Sequence, residues 1–93
     1  MPIYIFSPEK NLALIEERNI SFDEVIAAIE NGQILDIVEH PNKQNYGNQK
    51  MYVIWVKEYV YLVPFVIDTN GDIFLKTIIP SRKAKRKYIQ EEW

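Results

Sequence analysis

Residues 76–88, KTIIPSRKAKRKY, hold Lys76, Arg82, Lys83, Lys85, Arg86 and Lys87 and no acid. Fixed positive charge of this density suits phosphate. When a ribose 2′-hydroxyl attacks its neighbouring phosphate in line, negative charge develops that Arg and Lys stabilise. A cationic patch is therefore the main requirement for a small protein to cut RNA. Arg82 stands where an apolar strand gives way to a helix, and Lys76 leaves that strand six residues earlier. Both are candidates to face the reacting phosphate. Lys83, Arg86 and Lys87 recur at spacings of three and four, which bring side chains together on a helix, where they would hold the RNA backbone. Proton transfer needs an acceptor and a donor. His40 and Glu39 are candidates, with Tyr61 and Tyr88 the nearest tyrosines, and exposed aromatics can also stack on unpaired bases.

Each of these readings has a plainer rival. A basic C-terminal helix is also an ordinary solvated surface whose cations suit the negative helix end. His40 precedes Pro41 and reads equally as a loop residue. Tyr52, Trp55, Tyr59 and Tyr61 fall along strand-like runs, as core residues do. Other chemistries find less support. One histidine and no cysteine leave no His pair for a metal and exclude thiolate ligands, disulfides and a Cys nucleophile. The three glycines are scattered, so there is no phosphate-cradling loop. Glu16-Glu17, Asp23-Glu24 and Glu91-Glu92 are adjacent in sequence and point different ways on a helix. No cofactor is expected.

The elements that would position the cluster can be read in chain order. Residues 2–6 form a short strand. Ser7 and Pro8 open a helix, with serine as cap and proline in the first turn, and Leu12, Leu14 and Ile15 supply its apolar face. Asn19 stops it. Ser21 and Glu24 make a capping box for a second helix that turns Phe22, Val25, Ile26 and Ile29 inward and ends at Asn31-Gly32. A strand over 34–40 leads to a polar loop over 41–49. Two β-branched and aromatic strands follow, broken near Lys57-Glu58, and Pro64 marks an edge or a bulge. Asn70-Gly71 makes a hairpin turn before a strand over 73–79. Ser81 then caps a helix over about 82–92. The order β-α-α-β-β-β-β-α predicts an α+β fold with helices packed on one face of a mainly antiparallel sheet of four to five strands.

With 93 residues, 47% of them hydrophobic, the chain makes one domain with a modest core. It has no run long enough to span a membrane, and the N-terminus lacks the features of a signal peptide, so a cytoplasmic protein is expected. The net charge of −2 conceals a segregation: residues 1–40 carry eight acids against Lys10 and Arg18, whereas residues 76–90 carry six bases and no acid. Two surfaces of opposite sign follow, unless the two ends lie together and neutralise.

Two segments carry a family resemblance. YIFSPEKNLALIEERNISFDEV resembles the N-terminal motif of the BrnT toxins, aromatic-x-Trp-Asp-x-x-Lys-Asn followed by Asn, Lys-His-Gly and Ser-Phe. Tyr4, Phe6, Lys10, Asn11, Ser21 and Phe22 fall at matching spacing. KTIIPSRKAKRKY is similar to that family's closing Ile-Ile-Ser-Ala-Arg-x-Ala segment, through Ile78, Ile79, Arg82 and Ala84. The chain departs from the motifs at Ser7 (for Asp), Leu14 (for Asn), Arg18-Asn19 (for His-Gly) and Thr77 (for Arg). The resemblance implies a RelE-like fold and a bacterial type II toxin that cuts RNA and so stops translation; with stabilisation of the transition state by cations, the cutting is expected to need no metal. It also implies a cognate antitoxin of the ribbon-helix-helix kind. Arg82 alone is carried over from the motif as a site cation; Lys76, Lys83, Arg86, Lys87 and His40 come from the residues themselves. Two other readings stand beside it: a module of the same fold that binds RNA or protein without cutting, and an interaction protein that works through its acidic half.

Overall fold

The computed structural model describes residues 2–47 and 49–89. Its elements run β1 (Tyr4–Ile5), α1 (Pro8–Arg18), α2 (Phe22–Glu30), β2 (Ile34–Glu39), α3 (Lys43–Tyr46), β3 (Lys50–Val56), β4 (Tyr59–Ile67), β5 (Ile73–Leu75), β6 (Ile79–Pro80) and α4 (Arg82–Tyr88). The strand order is β1-β5-β4-β3-β2, with β6 pairing β4. Every pairing is antiparallel except that of β1 with β5. The class is α+β, with a mixed, mostly antiparallel sheet.

Strand alternation divides the core into two parts. Tyr52, Ile54, Val63, Phe65, Ile73 and Leu75 meet Leu14, Phe22, Val25, Ala28 and Ile29 of α1 and α2 in the main cluster. The intervening residues Val53 and Val60 form a smaller cluster with Ala84, flanked by Leu35, Val38, Leu62 and Tyr88. Thus α1 and α2 cover one face of the sheet and α4 packs on the other, which corrects the expectation that all helices share one face.

Local chemistry explains most boundaries. Ser7 and Ser21 cap α1 and α2 through their hydroxyl oxygens, which accept from Lys10 and Glu24 N–H groups at 3.2 and 3.1 Å. The Glu24 carboxylate completes the box by accepting from Ser21 N–H at 2.9 Å. Burial opposes the charge on Glu24, but bonds from Lys57 and Ser21 outweigh it and hold its pKa below the ordinary value. Asn19 ends α1 at φ 54°, a conformation asparagine tolerates.

Several boundaries differ from expectation. Leu14 is the inward residue of α1 and joins the main cluster, while Leu12 and Ile15 are 63% and 42% exposed. The loop after His40 contains the single turn α3. The expected strand 73–79 is interrupted after Leu75, where Lys76 N–H donates to Pro64 O at 2.8 Å. In a strand, the N–H and C=O of one residue point to the same side, so the donor that Pro64 lacks would face this gap between β5 and β6. The proline marks an interruption, as its chemistry requires. Helix α4 ends at Tyr88, with Ile89 already extended at φ −111° and ψ 102°; residues 90–92 of the expected helix lie outside the described residues. Among the described residues no helix is long and apolar enough to cross a membrane.

Candidate nucleic-acid interface

The turn from β6 into α4 is fixed twice. Ser81 N–H donates to Val60 O at 3.0 Å, and Ser81 Oγ accepts from Ala84 N–H at 3.1 Å. With the helix start tied to β4, Ala84 is 8% exposed against the sheet. One turn later the Tyr88 hydroxyl donates to Asp36 Oδ2 at 2.6 Å. The far end of α4 is thereby fastened to the edge strand β2. The Tyr88 hydroxyl and the Ile37 N–H hold the Asp36 carboxyl below its usual pKa. The same bond, with some burial, pushes the Tyr88 phenol up.

This anchoring leaves Arg82, Lys83, Arg86 and Lys87 exposed. Arg82 and Arg86 lie one turn apart, as do Lys83 and Lys87, and each pair repels by about 0.2–0.5 kcal/mol on a helix. The half-buried Lys85 instead places its ammonium 5.2 Å from the Tyr59 ring centroid, and Lys87 lies 5.3 Å from that of Tyr88. A cleft of about 410 Å³ opens between α4 and the β2 side of the sheet. Val38, Met51, Val53 and Leu62 line it from the strands, and Lys83, Lys87 and Tyr88 from the helix. Glu39 and Pro41 contribute at the end of β2.

The structure gathers the expected residues only in part. Glu39, Lys83, Lys87 and Tyr88 meet at the cleft. Arg82 and Arg86 are exposed on the same helix but are not among the cleft's lining residues. Lys76 is not among the lining residues either. Next to the inward Leu75, it falls by alternation on the α4 face of the sheet, with its ammonium 5.2 Å from the Phe74 ring centroid. His40 follows Glu39, and its Nδ1 accepts from Asn42 N–H at 3.1 Å. Tyr61 does not join the group. It packs against the main cluster on the opposite face, edge to face with Tyr59 at 5.8 Å, because it alternates in phase with Val63 and Phe65. The reading from sequence missed Asp36 and the aliphatic floor. The one signal for Asp36 is a lone acid inside the apolar run ILDIV.

Among the described residues no group of three or more His, Cys, Asp or Glu is placed to hold a metal ion. Comparison of the chain with family models, curated proteins and solved structures finds no match.

Proposed function

We propose that this protein is a RelE-like, metal-independent endoribonuclease, the toxin of a bacterial type II toxin–antitoxin pair. The observation that carries this reading is the placement of α4. Bonds from Ser81 and Tyr88 hold a seven-residue helix on the sheet face that α1 and α2 leave open. Four of its seven residues are exposed cations. Their mutual repulsion is relieved by a polyanion, and RNA backbone is the polyanion for which Arg and Lys at this density are suited. The resemblance to BrnT motifs supports the same reading. In it, Arg82 and Lys76 stabilise charge on the phosphate, Lys83, Arg86 and Lys87 hold the backbone, and Glu39 and His40 serve proton transfer. A ribbon-helix-helix antitoxin with an acidic segment would silence the protein by covering α4.

A second reading, an RNA- or protein-binding module of the same fold that does not cut, draws on two observations. The Tyr88 hydroxyl is engaged by Asp36, and the Asn42 N–H occupies His40 Nδ1, which leaves only Nε2 of that ring for proton transfer.

Induction of the protein alone in bacteria, beside Arg82→Ala, tests the proposal. Growth arrest with shortened RNA, absent in the variant, is expected. Normal growth with intact RNA at demonstrated soluble expression would favour the binding module. For that module, Arg82→Ala weakens RNA binding and reduces its salt slope by about 0.7, the single-strand value per phosphate contact.

A further inference from the structure

The cleft beside α4 is not the shape that backbone charge alone requires. Its floor is apolar (Val38, Met51, Val53 and Leu62) with Glu39 at the end of β2, and its helix side carries two ammonium groups, on Lys83 and Lys87. We propose that this cleft seats one unstacked nucleotide of single-stranded RNA, with the base on the aliphatic floor and the flanking phosphates on Lys83 and Lys87. The inference rests on the reading of α4 as an RNA surface and adds to it a base slot and a preference for unpaired substrate.

Three features carry it. The volume of about 410 Å³ lies near the lower end of the roughly 300–1,000 Å³ typical of small-ligand clefts. That is room for one nucleotide and not for a duplex. Lys83 and Lys87 are four residues apart, about 6 Å along a helix axis, so both can reach the phosphates on either side of a single nucleoside. The floor offers apolar contact to a base face without selecting its edge, and bases whose faces are free occur in single strands, loops and ends.

The test uses the full chain and a fluorescent 2′-O-methyl oligouridylate, which cannot be cut by its own 2′-oxygen. A blunt RNA duplex and poly-glutamate serve as competitors. The single strand is expected to bind more tightly than the duplex and to outcompete poly-glutamate. Val38→Trp, at an edge strand, fills the slot and should lower affinity roughly tenfold, as loss of one base contact does, with the salt slope unchanged. Lys83→Gln should weaken binding and make the slope shallower, while Lys10→Gln on α1 leaves both as they were. If folded Val38→Trp binds like the wild type, or the duplex binds equally well, the base slot is wrong and the RNA surface survives. If poly-glutamate matches the oligonucleotide, both readings fall and the cleft is an acidic-peptide site. Should Val38→Trp not fold, contacts between the Leu62 methyl groups and uracil protons, sought by nuclear magnetic resonance on the unaltered protein, decide the matter: their presence supports the slot and their absence overturns it.

Discussion

Asp36 and Tyr88, fifty-two positions apart, share the bond that fastens α4 to the sheet edge. Asp36 has a depressed pKa, so its contribution to stability is present above the ordinary carboxyl value of about 4 and is lost as pH falls through the lowered one. Tyr88 has a raised pKa, so its contribution is present below about 10 and is lost as pH rises through the raised value. Tyr52, pushed to about 12 chiefly by burial and then by Tyr4, loses its contribution in that alkaline range too. On the acid limb Glu24, whose pKa is also lowered, contributes as well, but Tyr88→Phe leaves its partners Lys57 and Ser21 untouched, so the difference between variant and wild type reports the latch. Thermal melts below about pH 4 should show a smaller acid loss for Tyr88→Phe than for the wild type, and equal limbs would refute the latch. Lys57 and Glu58 form a two-residue hairpin turn with φ of 53° and 58°. Such turns favour Asn-Gly. Lys57 is retained by its 2.9 Å pair with Glu24 and its bond to Asn19 O, whereas Glu58 has no such visible reason. Glu58→Gly should raise stability by roughly 0.5–1 kcal/mol, read by denaturant titration. This strain was not legible in the sequence, because the break near Lys57-Glu58 shows where a turn falls but not its handedness.

Asn11 acts on a whole element. Its side-chain oxygen accepts from Phe22 N–H at 2.7 Å, binding α1 to the start of α2, where Phe22 is fully buried and stacks on Phe6 at 4.9 Å. Residues singled out by the BrnT-like motif thus build the junction of the two helices. Asn11→Ala leaves a partly buried donor without its partner and should cost about 1–3 kcal/mol. The RNA binding we propose should be unchanged per folded molecule, since the junction lies on the opposite face from α4; a direct loss of binding in folded protein would contradict this division of roles. Caps and turns of this kind were readable because they are local: Ser7, Ser21 with Glu24, and Ser81 each announce a helix within three residues. The burial of Leu14 over Leu12 and Ile15, and the side of the sheet taken by α4, were not readable, since both depend on which strands lie beneath. The split between β5 and β6 was half readable. Pro64 signalled an interruption, but the partner strand that would be broken was beyond its reach.

Across the molecule, the charge segregation seen in the sequence is only partly preserved in space. The acids of α1 and α2 occupy the face opposite α4, but Asp36 and Glu39 travel with β2 to the basic side. Glu39 leaves the cleft mixed in sign beside its cationic helix. The basic cluster was legible as a run of residues. The cleft beside it was not, because its floor is assembled from β2, β3 and β4. We propose that the α4 face cuts RNA by attack of a 2′-hydroxyl, with Arg82 stabilising the phosphate. The most direct measurement is to map RNA ends in bacteria induced to make the wild type or Arg82→Ala, at matched soluble expression. New ends bearing 2′,3′-cyclic phosphate are expected with the wild type and none with the variant. The same set of ends in both, or no new ends in either, would contradict it.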